Sequence, residues 1–443
     1  MSSPRFSRRQ FLRTALVSSA GLSVPIWFAE HALAQALARP ILSPNERPHI
    51  ALIGCGGQGL GVAKQAGTFA DVVAVCDVDA ARTAKAAEQF SGAQSFRDYR
   101  KLLELPGLHA IINGTPDHWH TLINIDAMKA GLDVYSEKPL TLTIEEGRQL
   151  VKVTRATKRV LQTGSQQRSD QRFRLAVSLV RAGRLGKIKH VVTGLPAGPR
   201  KGPFQTAPVP EGLDWNTWLG QTPLVEYVPE RCHRSFRYFL EYSGGTMTDW
   251  GAHHIDIALW GLGMDHSGPV SVAGRAMVEP IPGGFTAPSE FEVDYTYANG
   301  VTHRCESVAA NGPDGSSRGT PQQGQRPHGV TFEGENGWIY VTRGKIEASR
   351  PELIDEPLTD LPEGIQVSDN HVGNFIECMR SRKAPVAEAE IGHRSVSACH
   401  LGVIAIQLGR RLQWNPEAEQ FVDDAEANRY VAREQREPFQ IRV

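Results

Sequence analysis

A chain of 443 residues exceeds what one ordinary core accommodates, so two domains are expected. A hydrophobic share of 40% with 22% charged residues is the mix of a soluble globular protein. Lys+Arg and Asp+Glu both total 48, so no net field draws nucleic acid or an anionic membrane, and no apolar run after residue 40 is long enough to span a bilayer.

Residues 1–34 read as a Tat signal peptide. Ser7-Arg8-Arg9-Gln10-Phe11-Leu12 is a twin-arginine pattern, an apolar stretch runs from Ala15 to Phe28, and Ala32-Leu33-Ala34 is a small-x-small cleavage site. The expected location is periplasmic or otherwise exported. Residues 35–48, with Pro40, Pro44 and Pro48, form either a linker or a stiff arm across a bound cofactor. The six cysteines form no C-x-x-C pair, and cargo that folds before export meets a reducing cytosol, so free and mostly buried thiols are expected.

From residue 49 to 165 strand and helix patterns alternate. Strands are expected at Ile50–Ile53, Val72–Cys76, Ala110–Asn113, Asp133–Tyr135 and Val160–Thr163. Helices at Leu60–Phe69, Ala80–Phe90, Trp119–Ala130 and Ile144–Thr157 separate them, which predicts an α/β Rossmann domain with a doubly wound parallel sheet. Residues 166–443 read as an α+β domain with an antiparallel sheet. Its strands are expected at Ile188–Leu195, Val270–Met277, Phe291–Tyr297, Val301–Val308, Val330–Glu333 and Gly337–Thr342, and its helices at Phe173–Arg181, Asp369–Ser381 and Ser395–Leu412. Asn311–Gly329 is rich in Gly, Ser, Gln and Pro and reads as a mobile loop.

The first strand runs into Gly54-Cys55-Gly56-Gly57-Gln58-Gly59, a G-x-G-x-x-G turn in its required strand–turn–helix setting. Gly54 makes the turn, Gly56 admits a pyrophosphate to the backbone, and Gly59 lets helix and strand pack closely. Asp77 ends the second strand, where an acid bonds a ribose 2′-hydroxyl and repels a 2′-phosphate. The expected cofactor is therefore NAD, with NADP disfavoured.

Further motifs sit at later strand ends: Thr115-Pro116-Asp117-His118-Trp119-His120, then Glu137-Lys138-Pro139, then Gly244-Gly245-Thr246-Met247-Thr248-Asp249-Trp250-Gly251-Ala252-His253-His254-Ile255-Asp256. With the Gly-rich turn, these resemble the glucose-fructose oxidoreductase / inositol dehydrogenase (Gfo/Idh/MocA) family over roughly residues 48 to 412. The resemblance implies a Rossmann domain, an α+β domain built on a large open antiparallel sheet, and an active site between the two. It also implies that Lys138 reaches a substrate oxygen, that His253 is the general acid/base, and that Asp249 orients it or holds a substrate hydroxyl. Oxidising a secondary alcohol requires these parts: a hydride acceptor, a base and a cation for the developing alkoxide.

Spacing on one helix would put Asp249, His253 and Asp256 on a common face, with His254 pointing elsewhere. Asp256 is then either a supporting group or a packing partner, and His254 ranks below His253 as the base. Thr115, Pro116, His118, Trp119 and His120 are expected to line the nicotinamide pocket, as the resemblance implies for this segment, together with Glu137, and Gln166 and Arg168 to face cofactor or substrate. Tyr227, Arg231, His233 and Arg237 are candidates for bonding sugar hydroxyls, as is His254, while Trp215 and Trp218 either stack on a sugar or belong to the core. The histidines show no H-E-x-x-H or Cys/His spacing, so no metal is expected.

Three functions compete. The leading one is an NAD-dependent oxidoreductase acting on a secondary hydroxyl of a sugar, polyol or glycoside, with a tightly held, recycled cofactor. The second is a glycoside hydrolase or lyase that oxidises a ring carbon transiently. The third is a cofactor-holding binding protein, against which intact Lys138, Asp249 and His253 count. A homodimer or homotetramer through the open sheet is expected, on the ground that a broad uncovered sheet face would expose apolar area.

Overall fold

A computed structural model describes residues 47–312, 316–356, 358 and 361–443. The expected export signal and all but the last two residues of the arm lie outside them.

The first part of the chain alternates β1 (His49–Ile53), α1 (Gly57–Ala66), β2 (Asp71–Cys76), α2 (Ala80–Gln89), β3 (Gln94–Phe96) and α3 (Tyr99–Leu103). It continues with β4 (Ala110–Asn113), α4 (Asp117–Lys129), β5 (Asp133–Ser136), α5 (Ile144–Thr157) and β6 (Leu161–Thr163). The strands form one parallel sheet in the order β3-β2-β1-β4-β5-β6. β4 and β5 are buried along their whole length, as strands covered by helices on both faces must be. Asp79, Asp98 and Thr143 start α2, α3 and α5 by accepting first-turn N–H groups. The strand order reverses between β1 and β4, so the C-terminal edge opens there into the crevice where such sheets take ligands.

The second part opens with α6 (Gln171–Arg181), β7 (Ile188–Pro196), α7 (Trp215–Leu219), α8 (Thr246–Asp249), α9 (Gly251–Leu262) and β8 (Ser271–Ala276). Then come β9 (Phe291–Thr296), β10 (Thr302–Val308), β11 (Ala310–Asn311), β12 (Ser317–Arg318), β13 (Gly329–Gly334), β14 (Gly337–Thr342) and β15 (Lys345–Ala348). The chain ends through α10 (Glu352–Asp355), α11 (His371–Ser381), α12 (Ala389–Leu408), β16 (Leu412–Asn415), β17 (Gln420–Phe421) and α13 (Ala425–Asn428). Nine strands form a sheet in the order β15-β14-β13-β7-β10-β9-β8-β16-β17. It is mixed rather than purely antiparallel, because β7 and β10 pair in parallel at its centre. Val191, Leu195, Phe291, Val293, Cys305 and Phe332 face inward and share one core with residues of α6, α9 and α12.

The opposite face does not match the expectation of exposed apolar area. It carries cross-strand ion pairs, Arg275 with Glu292 and Arg304 with Asp294, and Arg326 lies over Trp338 and Tyr340. Two further differences have local causes. α12 stops at Leu408 because Gly409 takes a positive φ of 62°, leaving Leu412 to start β16, between β8 and the edge strand β17, instead of ending the helix. The expected loop at 311–329 contains the short ribbon of β11 and β12. All six cysteines are free and buried. Among the described residues no helix is long and apolar enough to cross a membrane.

Candidate active site

Backbone contact shapes the turn after β1. Gly54 has a φ of 88°, and a Cβ there would lie 2.5 Å from the carbonyl carbon of Gly114. A Cβ on Gly59 would lie 2.3 Å from the Gly54 oxygen, so only glycine lets α1 sit this close to β1. At Gly57 a side chain would meet open space. No side chain caps α1, which leaves its first-turn N–H groups and positive dipole end for an anion.

Asp77 follows β2 directly. Its carboxylate accepts the Cys55 N–H at 2.8 Å and the Asp79 N–H at 3.0 Å. Burial pushes its carboxyl above the ordinary carboxylate range, and those two donors work against the rise. Each oxygen keeps lone pairs for a ribose hydroxyl. Across the switch point Glu137 Oε1 accepts amide bonds of 3.0 Å from both Gln58 and Gln166, while its buried Oε2 has no partner. A bare anion-binding helix end, an acid at the ribose position and an orphaned carboxylate oxygen fit a dinucleotide.

His120 ties two strand-end turns together. One ring nitrogen meets the Thr115 oxygen at 2.9 Å and the other the Pro139 oxygen at 2.7 Å. This pins the Lys138-Pro139 turn to the Thr115-Pro116 turn. From it the Lys138 Nζ donates to the second domain, to Asp249 Oδ1 at 2.5 Å and to the Asp249 carbonyl at 3.0 Å. Arg237 donates to the same Oδ1 at 3.3 Å. Burial alone would raise the Asp249 carboxyl, but Lys138 and Arg237 outweigh it and hold the group well below the usual carboxylate range. Asp249 is thus an ionised clamp for two cations.

His253 is buried, and its Nδ1 has no partner. Burial, then Lys138 and Arg343, push its basicity well below that of an ordinary histidine, with Asp249 opposing. At neutral pH it is a neutral imidazole able to accept a proton. It does not share a continuous helix with Asp249. α8 ends at Asp249 and α9 begins at Gly251, with Trp250 between them still in the right-handed helical region at φ −91°, ψ −30°. The Asp249 carboxylate meets Lys138 and Arg237.

Family models cover most of the chain. Residues 49–165 match the oxidoreductase-family NAD-binding Rossmann fold, and residues 200–441 the C-terminal α/β domain of the same family. The chain belongs to the Gfo/Idh/MocA oxidoreductase family. It is 25% identical over 339 residues to a scyllo-inositol 2-dehydrogenase (NAD(+)) of Bacillus subtilis, covering 76% of this chain and 87% of that protein. A glycosyl hydrolase family 109 protein of Shewanella pealeana is 25% identical over 207 residues, 42% of this chain and 45% of the relative. Against inositol 2-dehydrogenases of Leifsonia xyli and Corynebacterium glutamicum the chain spans only 58% and 41% of their lengths. The fold is that of the WlbA dehydrogenase from Bordetella pertussis, solved in complex with NADH and UDP-GlcNAcA, with a TM-score of 0.62 at 20% identity over 84% of this chain and 99% of that one.

Within this Gfo/Idh/MocA frame several expected site residues lie elsewhere. Arg168 is buried and chelated by Asp256 and Asp265 at 2.8 and 2.7 Å, with Ser395 also on Asp256 at 2.6 Å. That network anchors α9 and leaves Arg168 no substrate role, and Asp256 is a packing partner. His254 is fully buried against Phe173 and Trp250, 3.2 Å from the His328 ring. His118 is also inaccessible, bonded at 2.8 Å to the Trp218 carbonyl, so it supports the pocket from behind. Burial pushes its basicity down to about 3. Tyr227, Trp215 and Trp218 belong to an aromatic cluster, and Arg231 is held by Glu241 and Tyr242. His233 lies 3.5 Å from Asp79, beside the Asp77 turn rather than beside Lys138. Arg237 alone of that group reaches the Lys138–Asp249 pair.

Sequence reasoning passed over two residues here. Asp117 accepts a 2.5 Å bond from the Ser243 hydroxyl, and burial pushes its carboxyl up to about 7. It stood inside the Thr115–His120 motif, which was the available signal. Arg343, on the turn between β14 and β15, lies over the Trp250 ring at 4.8 Å. With its amide oriented to satisfy both neighbours, Gln167 accepts from Arg343 Nε at 3.2 Å and donates to the His253 carbonyl at 3.0 Å. Nothing local in the sequence marks Arg343, because the nine-stranded sheet brings it there. Among the described residues no cluster of three or more His, Cys, Asp or Glu could hold a metal ion.

Proposed function

We propose that this protein is an NAD-dependent oxidoreductase acting on a secondary hydroxyl of a sugar, polyol or glycoside, with its cofactor retained and recycled. Residues 49–165 bind the cofactor and residues 166–443 the carbohydrate. The observation that carries the reading is the Lys138–Asp249 contact of 2.5 Å, which joins the two domains at the edge where the Gly-rich turn opens. The name of the scyllo-inositol relative supports a polyol or sugar substrate.

Bound NAD would supply the hydride acceptor. Lys138 presents its ammonium to the substrate oxygen, stabilising negative charge as the hydroxyl proton leaves. Asp249 fixes that ammonium and keeps a second oxygen for a neighbouring hydroxyl. Neutral His253 receives the proton.

The second reading, a glycoside hydrolase or lyase working through transient oxidation of a ring carbon, draws on the family 109 relative. The same residues serve it, since a neutral base beside a cation also removes a proton next to a carbonyl. Mass spectrometry of products from paired glycosides and free sugars separates the two. Oxidised product supports the first reading, a released aglycone without net oxidation supports the second, and no product from any substrate overturns both.

Export by the Tat route belongs to this proposal and rests on Ser7–Leu12 and Ala32–Ala34. So does a homodimer or homotetramer through the open sheet. The paired charges on that face would make such an interface polar and sensitive to salt.

A further inference from the structure

Three cations surround the proposed reaction centre, and two of them have acids in contact or close by. Lys138 and Arg237 share the Asp249 carboxylate, and buried Glu137 acts on Lys138 through space. Arg343 is the third cation. Its guanidinium lies on Trp250, the residue between Asp249 and α9, and its charge acts on both His253 and Asp249. Among the described residues no carboxylate lies within ion-pair distance of Arg343; the charged groups that act on it through space are Asp249 and Asp170. Arg343 is exposed, and its Nε is engaged by Gln167. Asp117 and Glu137 are both buried, Asp117 bonded to Ser243 and Glu137 to Gln58 and Gln166, so neither pairs with Arg343. A planar donor fork held by an aromatic face beneath and an amide behind is preorganised for a planar anion.

We infer that the substrate carries an anionic substituent, a carboxylate on the saccharide, and that Arg343 binds it while Lys138, Asp249 and His253 address the hydroxyl. The inference rests on the carbohydrate redox reading above and adds the substrate class. Arg343 therefore sets specificity, and its contribution appears as a preference between matched substrates.

The test compares kcat/KM of the full-length protein, loaded with NAD, on three matched probes: a methyl glucuronide, the methyl glucoside that lacks the carboxylate, and glucose 6-phosphate. The carboxylate is expected to be preferred, with a KM that rises with ionic strength. Arg343→Gln is expected to lower the ratio of acid to neutral kcat/KM by roughly 10–100-fold, the usual effect of losing one partner of a charged hydrogen-bonded pair. Arg343→Glu should reverse the preference. A preference for glucose 6-phosphate that falls in the same variants would assign the fork to phosphate and overturn the carboxylate. Preference for the neutral glycoside, or an unchanged ratio in Arg343→Gln, overturns the inference while leaving the redox reading intact. No conversion of any probe, with NAD bound, strikes the redox reading itself and takes the inference with it.

Discussion

Lys138 and His253 do different things, and their variants should separate. In the proposed mechanism Lys138→Ala removes the cation for the alkoxide and frees Asp249, whereas His253→Ala removes the proton acceptor. Each is expected to cut turnover by about 10²–10⁴ while cofactor still binds. Because His253 is held neutral well below the ordinary histidine range, the acid limb of the wild-type rate profile should fall below that range, and that limb should vanish in His253→Ala. A damaging His254→Ala with a mild His253→Ala would move the base one residue along. Away from the site, Glu146 offers a stability test. It is buried, accepts from Leu142 N–H and Thr121 Oγ1 through a single oxygen, and burial pushes its carboxyl up from 4.5 to about 7. A raised value means that the folded state pays to ionise this group. The penalty is absent below pH 4.5, grows as pH rises, and is complete above about 7. An amide oxygen can keep both hydrogen bonds while the long 3.5 Å contact from Gln435 Nε2 to Oε1 is lost, so Glu146→Gln should be no more stable than wild type at pH 4 and gain on it by up to about 3 kcal/mol between pH 4 and pH 8. Denaturant unfolding at both pH values checks this, and a difference from wild type that stays the same at the two would contradict it. The residues legible in sequence were those in local motifs: Gly54, Asp77 and Lys138 at strand ends, and Asp249 at the end of α8. Arg168 and His254 were misread because a polar side chain in a motif-rich stretch looks functional until its buried partners, Asp265 and His328, come from distant segments.

At the scale of elements, α8 and α9 meet at Trp250 and bring Asp249 and His253 to the site. The Asp249–Asp256 spacing suggests one helical face. Trp250 stays in the right-handed helical region and bonds Thr246 and His254 four residues away on either side, so Asp249 closes α8 and His253 lies on the first turn of α9. Gly245 starts α8 with a φ of 68°. Its N–H donates to the Arg237 carbonyl at 2.9 Å, its carbonyl accepts the Asp249 N–H at 3.0 Å, and a Cβ would lie 2.8 Å from that of Ala287. Arg237, Gly245 and Asp249 are thus tied through one backbone unit. Gly245→Ala is expected to cost about 1–3 kcal/mol of stability and to reduce turnover at temperatures where the protein remains folded. A folded variant with normal turnover would show that Asp249 is placed by Lys138 alone. The alternating pattern of the first sheet was readable because each strand is short, apolar and bounded by Gly or Asp. β3, β15 and β17 were not, since strands of two to four residues carry too little periodicity to mark themselves.

At the scale of the whole molecule, one segment of the second domain crosses the dinucleotide groove. At the adenosine end, Leu213 forms an antiparallel bridge with Asp79, Ala80 N–H donates to the Gly212 carbonyl, and Asp214 N–H donates to the Val78 carbonyl. Arg97 holds the Gly212 and Val78 carbonyls together at 2.8 and 3.2 Å. At the other end the Trp218 carbonyl takes bonds from His118 and Trp119, and Arg436 from the C-terminal tail grips the Asn216, Gly220 and Thr222 carbonyls. Residues 212–222 therefore clasp the Rossmann domain on both sides of the groove. Under the proposed function this clasp slows release, since the cofactor would leave after backbone hydrogen bonds in two places open. The proposed export gives slow release a purpose, because replacement cofactor is scarce outside the cytosol. Purified protein is expected to carry NAD through gel filtration, which requires a dissociation constant near nanomolar, about 12 kcal/mol. Arg97→Ala and Arg436→Ala should each speed NAD dissociation, measured by displacement in stopped flow, with little change in the association rate. A protein that starts at Pro48 should retain NAD as well as the full chain if the clasp suffices, and should lose it if residues 35–47 contribute as an arm. Protein that purifies without NAD and turns over only when NAD is added would remove retention, and with it the recycling half of the proposed function.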